Sequence, residues 1–291
     1  MEGCYLPDLL TKIDPDVQET ATKPALCADM LSKYRTFFEA NLHITIEEIT
    51  QAKGIVLYSH EKMRSNPVGW STYMPVCAFV TEQAALVSCI PEWENELREV
   101  LAGAAVSEAT PRMNEFASKR DYLVDQNLRV YGIESPISKI DCSRAVPLDC
   151  THFAQHWEFM ERAYPSTFGL IESDKQMEQD FMEIVSGRTD FCVFVGGEIV
   201  SLAASESMPN KPEGIVNLGI NTLSGHRRNG YAAAACAAFI NHHVQRGLMT
   251  IWQCDPNNAV SRLLAEKLGF RRMGDFYSIS SLVECSKETV H

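Results

Sequence analysis

Four things are missing from this sequence, and each absence removes a class of function. There is no stretch of about 18–20 apolar residues, so no membrane-crossing helix is expected. The first residues, MEGCYLPDLL, carry neither the basic nor the apolar segment of a secretory signal, which points to a cytoplasmic protein. The nucleotide loop G-x-x-x-x-G-K-[ST] and the dinucleotide fingerprint G-x-G-x-x-G are both absent. Basic residues are also short, 26 against 38 acidic ones, for a formal charge of -12. That excludes broad contact with nucleic acid or anionic membrane, while leaving room for a local basic spot.

Cysteine is plentiful, with ten residues, but no C-x-x-C pair occurs. Several thiols fall inside apolar strand-like or alanine-rich segments, where cysteine acts as a small hydrophobe, so reduced, buried side chains are expected. Cys142, Cys150, His152 and His156 follow a C-x7-C-x-H-x3-H spacing, wider than a zinc knuckle and interrupted by proline and aromatics. No metal is expected there.

The 291 residues suffice for two domains, and 45% hydrophobic content is ordinary for a globular chain. Residues 1–24 are turn-rich, with prolines at 7, 15 and 24, and read as an irregular arm. Leu26, Met30, Tyr34, Phe37 and Phe38 share a helical face over Ala25–Asn41. Thr45-x-x-Glu48 suits a capping box opening a short helix. Ile55–Ser59 reads as a strand, and Tyr73–Val80 with Ala84–Cys89 as a hairpin. Pro91 opens a helix with Trp93, Leu97, Val100 and Leu101 inward. Val106–Lys119 has no clear assignment, and Tyr131–Ile133 begins or ends a strand. Nothing in residues 1–135 forms a phosphate loop or a catalytic triad, and His43 and His60 stand alone. This segment is expected to be an N-terminal α/β domain shaping the substrate side of a cleft.

A connection at Glu134–Ser143 leads to the second expected domain, residues 140–291. There Arg144–Leu148 reads as a strand, Thr151–Tyr164 and Ser173–Ser186 as helices, and Phe191–Val195 with Glu198–Ala204 as a hairpin around Gly196-Gly197. The stretch IVNLGINTLSGHRRNGYAAAACAA, residues 215–238, passes from a strand through a glycine-containing basic turn into an alanine-rich helix. Such a junction is an anion site, because the first amides of a helix have no intrahelical acceptors. A plain connection with solvated arginines remains the alternative. Strand Met249–Cys254, a helix through Leu268 and strand Met273–Val283 complete an α/β order, a mixed sheet with helices.

Arg227-Arg228-Asn229-Gly230-Tyr231-Ala232 resembles the R-x-x-G-x-G/A signature of the GNAT (GCN5-related N-acetyltransferase) superfamily. MTIWQC, Asn258-x-x-Ser261 and Lys267-Leu-Gly-Phe270 follow in that family's order. The resemblance covers about residues 140–285. It implies a GNAT-like domain in which acetyl-CoA lies between two splayed strands, here about 215–223 and 249–254. Backbone amides from about His226 to Ala232 would hold the pyrophosphate. The implied cofactor-binding residues are Thr222, Arg227, Arg228, Asn229, Gly230, Tyr231, Ala232, Asn258 and Ser261, with Arg227 favoured over Arg228 for the phosphate. Asn258 also reads as an N-cap. By the same resemblance Trp157, Tyr164 and Phe168 touch the acceptor, with core packing as the alternative.

The acid and base are less readable. The family often places the thiolate's proton donor, a tyrosine, where this chain has Ala265. Tyr277 is the substitute considered, with a core role as its alternative. No carboxylate occurs between Ile215 and Leu223, which leaves Glu206 or Glu213 to act through a water oriented by Asn217 or Asn221. Cys254 reads as a filler and not a nucleophile. The expected activity is acetyl transfer from acetyl-CoA to a primary amine, on a small molecule or a protein, by direct attack. The acidic chain makes a polyamine a reasonable acceptor. A non-catalytic module that senses CoA or binds a protein is the competing reading.

Overall fold

The computed structural model describes residues 28–65, 73–120, 122–165 and 174–281. The expectations for residues 1–24 and for Phe168 lie outside these residues. Helices α1 (Ala28–Lys33) and α2 (Arg35–Leu42) bury Met30, Tyr34, Phe37, Phe38 and Leu42. In α3 (Ile46–Gln51) the capping box forms. The Thr45 hydroxyl accepts from the Glu48 amide at 3.3 Å, and the Glu48 carboxylate accepts from the Thr45 amide at 2.7 Å.

Strand β1 (Gly54–Ser59) runs parallel to β3 (Ala84–Cys89), which forms an antiparallel hairpin with β2 (Tyr73–Val80). Helix α4 (Glu94–Leu101) follows the Pro91 turn. The unassigned Val106–Lys119 segment contains α5 (Ala109–Ser118), which buries Ala109, Met113, Phe116 and Ala117 at helical spacing. Strand β4 (Leu123–Ile133) ends the first half.

The second half runs β5 (Ala145–Pro147), α6 (Phe153–Ala163), α7 (Asp174–Gly187), β6 (Phe191–Val195) and β7 (Glu198–Glu206). It continues with β8 (Ile215–Thr222), α8 (Tyr231–Gln245), β9 (Met249–Cys254), α9 (Ala259–Leu268) and β10 (Arg271–Ser281). Gly196 and Gly197, at φ 63° and 90°, make the β6–β7 turn that non-glycine residues would resist.

The ten strands among the described residues form one sheet, in the order β1-β3-β2-β10-β4-β9-β8-β7-β6-β5. The two halves of the chain interlock: β4, from the first half, lies between β9 and β10 and is antiparallel to both. Tyr34 pins this junction. Its hydroxyl accepts from the Ile133 amide at 2.8 Å and lies 2.8 Å from the Ile133 carbonyl and 2.9 Å from the Thr250 carbonyl. Gly132 is required here, since a Cβ would sit 2.7 Å from the Tyr34 ring. Helices α1–α3 and α6–α7 cover one face of the sheet, with cores around Phe38 and Phe159. Helices α4–α5 and α8–α9 cover the other, around Phe116 and Phe239.

Candidate functional site

Strand β8 has two different ends. Near its start it pairs in parallel with β9, but registered pairs run only from Ile215↔Met249 to Asn217↔Ile251. Both strands continue, to Thr222 and Cys254, without pairing to each other. Along β8 the backbone groups alternate between neighbours. The Leu223 amide donates to Val200 of β7 at 3.0 Å, and the Met249 amide donates to the Gly214 carbonyl at 2.9 Å. That alternation turns the peptide groups of Leu218, Ile220 and Thr222 toward the gap with β9. At its mouth the Thr222 carbonyl accepts from Arg227 Nε at 3.1 Å.

The gap opens beneath the N-terminus of α8. A one-turn 3-10 segment, Ser224–His226, joins β8 to the helix. It uses two amides: His226 donates to Leu223 at 2.8 Å and Arg227 to Ser224 at 3.4 Å. Of the amides expected to hold the pyrophosphate, those of His226 and Arg227 therefore already have acceptors. The amides of Arg228 through Ala233 are the ones with no acceptor among the described residues, the first intrahelical bond being Ala234 to Gly230 at 3.0 Å. Arg228 at φ 65° and Gly230 at φ 82° are both left-handed and fold this row of amides into a concave arc. A Cβ at Gly230 would meet nothing within 4 Å, so the backbone angle, not crowding, calls for glycine. Asn229 steadies the turn by donating to the His226 and Arg227 carbonyls, each at 3.2 Å. Both arginines are exposed, with Arg227 folded back on β8. The Arg144 guanidinium lies 5.7 Å over the Tyr231 ring and adds a further cation nearby.

Asn258 caps α9, its side-chain oxygen accepting from the Ser261 amide at 3.0 Å. Ser261 is otherwise occupied: its hydroxyl accepts from Trp252 Nε1 at 3.0 Å. It holds the indole in the core.

Side chains at alternate positions of β8 divide cleanly. Val216, Leu218 and Ile220 pack against α8, while Asn217, Gly219 and Asn221 face the side of α6. On that second face the Glu206 carboxylate lies directly over Gly219, where any Cβ would run into it. The Glu206 side chain is accessible to solvent yet surrounded by protein, and burial raises its pKa, with the Arg188 charge acting in the opposite direction. The backbone just before it is clamped. The Asp190 carboxylate accepts from the Ser205 amide at 2.9 Å, and Arg188 donates to the Ser205 carbonyl at 2.6 Å and to Asp190 at 3.1 Å. The strand β6 begins at Phe191, so this pair replaces the neighbour that Ser205 lacks. Neither Arg188 nor Asp190 carries a sequence signal.

Tyr164 ends α6, and burial raises its pKa, the Asn221 side chain lowering it and the Glu206 charge raising it. Asn217, 4% exposed at the last paired position of β8, leaves its side-chain oxygen without a partner among the described residues. Nearby His156 packs on Phe181 at 4.9 Å, and burial, helped by Arg188, lowers its pKa to about 4, so it is neutral at pH 7. Trp157 lies farther along α6, beside Phe153 in a shallow recess with Ala154 and Glu158.

The other two acid/base candidates fall elsewhere. Glu213 is exposed ahead of β8, away from the gap, and its carbonyl is held by Thr36 of α2 at 2.8 Å. Tyr277, 1% exposed on β10, packs among Met113 and Phe116 and donates to Asn114 at 2.9 Å, so it is a core tyrosine. Cys254 is buried beside Trp252, and burial raises its pKa, against nucleophile chemistry. His152 Nδ1 accepts from the Asp149 amide at 3.2 Å, and no three acidic, histidine or cysteine side chains among the described residues converge as a metal site.

Residues 172–278 match a family model described as GNAT acetyltransferase. No curated protein sequence matches the chain. Among solved structures, a GNAT-family acetyltransferase from Colwellia psychrerythraea is 14% identical, over 59% of this chain and 62% of that one, with a TM-score of 0.45. Another from Novosphingobium aromaticivorans is 17% identical over 56% and 68%, at 0.42. The aminoglycoside N-acetyltransferase AAC(6')-Iy, solved in complex with CoA, is 19% identical over 51% and 92%, at 0.36.

Proposed function

The C-terminal region of this chain belongs to the GNAT acetyltransferase superfamily, and we propose on that premise that the protein transfers an acetyl group from acetyl-CoA to a primary amine. The observation that carries the proposal is the break in the β8–β9 ladder after Asn217, opening onto the free amides of Arg228–Ala233. A pyrophosphate suits those amides and the helix dipole behind them, with Arg227 and Arg228 offsetting its charge against an overall acidic protein. The peptide groups of Leu218, Ile220 and Thr222 suit the amides of a pantetheine arm, and Asn258 borders the same gap.

Acetyl-CoA, when bound, supplies a thioester carbonyl for an amine to attack. The chain's own contribution is alignment and charge control. Amides on the gap side of β8 donate to the carbonyl oxygen as negative charge gathers there. Glu206, leaning over Gly219, removes a proton from the amine directly or through a water ordered by Asn217 and Asn221. Its raised pKa brings it nearer to the operating pH than an exposed glutamate would be. A base must be ionised to act, so kcat/KM is expected to rise with pH through a limb above the usual glutamate range.

The test is thiol release from acetyl-CoA against a panel of diamines, amino acids and a lysine-containing peptide. Release with at least one amine is expected, with Glu206→Gln lowering kcat by about 10²–10⁴-fold and erasing the acid limb. The buried Ala265 leaves no phenol at the family's usual donor position, which favours the alternative of a CoA-sensing module. Saturable CoA binding with no release by any amine would establish that alternative instead.

A further inference from the structure

We propose that β1 is the seam of a homodimer, pairing antiparallel with β1 of a second copy about a two-fold axis at Leu57. Among the described residues, β1 and β5 are the two edges of the sheet. An edge strand presents a row of unpaired peptide groups, and proteins that stay monomeric blunt it with proline, charge, a bulge or shortness. β5 is blunted: it has three residues and ends in Pro147. β1 is not. Its six residues, Gly-Ile-Val-Leu-Tyr-Ser, carry no charge and no proline. Their register with β3 runs without a bulge from Gly54↔Ala84 to Ser59↔Cys89. The strand is partly exposed along its whole length.

The backbone sets the register of such a pairing. The Gly54 amide donates to the Gln83 carbonyl and the His60 amide to the Cys89 carbonyl, each at 2.9 Å. The even-numbered residues of β1 therefore turn their peptide groups toward β3, and those of Ile55, Leu57 and Ser59 point outward. In an antiparallel pair, hydrogen-bonded partners must both point outward, so odd positions face odd positions. An axis at Leu57 sets Leu57 opposite Leu57 of the second copy, Ile55 opposite its Ser59, and Lys53 opposite its Glu61.

That register is the one the side chains match. Lys53 is exposed, and the Glu61 side chain is 73% exposed, so opposite charges meet at both ends of the seam. Moving the axis to Val56 or Tyr58 keeps the parity but sets Lys53 against Ser59, or Glu61 against Ile55. On the alternate positions Val56 faces Tyr58 of the second copy, a β-branched residue against an aromatic one. Gly54 faces its His60, and nothing within 4 Å of the Gly54 Cβ position crowds that ring. The outer edges of the dimer are then the two copies of β5, already blunted, so assembly stops at two.

The experiment is sedimentation of the full chain over about a hundredfold range of concentration. A reversible species of twice the chain mass is expected at the upper end. Lys53→Glu and Glu61→Lys each set like charges across the seam, and each is expected to weaken association about tenfold or more. The double variant, Lys53→Glu with Glu61→Lys, is expected to restore it. Leu57→Pro removes an amide that β3 does not use, and is expected to leave only monomer. The charge variants lie at exposed positions, so they test the seam even where the proline variant fails to fold. A wild type that stays monomeric throughout would overturn the inference. So would a dimer that both single charge reversals leave intact, or one that they weaken and the double variant does not restore.

Discussion

The seam between β4 and β10 and the seam between β8 and β9 are built to opposite ends. Between β4 and β10 the register runs from Gly132↔Arg271 to Leu123↔Ser280, with Val130, Phe276, Tyr277 and Ile279 buried around it. Between β8 and β9 it stops after three pairs, though both strands stay extended. Buried backbone groups must be bonded, so an unpaired edge persists only where water or a ligand can reach it. The first seam is therefore where stability is concentrated and the second is where CoA is proposed to bind, and mutations should separate the two.

The largest effect expected comes from removing the closed seam altogether. A chain lacking residues 1–135 leaves β9 and β10 without β4, and calorimetry should show no cooperative unfolding transition. A folded residues 136–291 fragment would show that the seam is dispensable. Next comes Tyr34→Phe, which strips buried bonds to Ile133 and Thr250. It should cost about 2–4 kcal/mol in urea unfolding while leaving CoA affinity unchanged. A loss of affinity would mean that the two seams are coupled. The smallest change to the fold is Gly219→Ala, which moves the Glu206 carboxylate without deleting it. The Glu206 side chain must turn away from Cγ outward, so the melting temperature should fall modestly while kcat falls about tenfold or more. An unchanged kcat would remove Glu206 from the base position.

What the sequence made legible tracks the distance over which each feature is decided. The Thr45–Glu48 box, the Gly196–Gly197 turn and the Asn258 cap are each settled within a few residues, and all can be read from them. The strands Tyr73–Val80 and Ala84–Cys89 announce themselves by β-rich runs around a two-residue gap. Helix α5 does not, because its alanines and Pro111 blur the apolar spacing of Met113 and Phe116. The placement of β4 between β9 and β10 depends on pairing between residues more than a hundred positions apart, and no local pattern encodes it.

The site divides in the same way. The basic glycine turn before α8 is a short motif and is readable. Which amides remain free is not, since that depends on the 3-10 turn consuming those of His226 and Arg227. Glu206 and Glu213 look alike in sequence, and only the pairing Glu206↔Asn217 brings one of them over Gly219. Tyr277 likewise is a candidate phenol in the sequence, and only its burial on β10 with its bond to Asn114 shows it to be a core residue.

The central claim, that the free amides of Arg228–Ala233 hold the phosphates of CoA, is tested most directly by calorimetric titration of CoA into the wild type and Ala232→Glu. A carboxylate in the first turn of α8 favours the helix by about 0.3–1 kcal/mol, so it should not unfold the protein, but it repels a phosphate at those amides. Saturable binding by the wild type, weakened at least about tenfold in a variant of equal melting temperature, is the expected result. Equal affinity in the two proteins, or no binding by either, would contradict the claim.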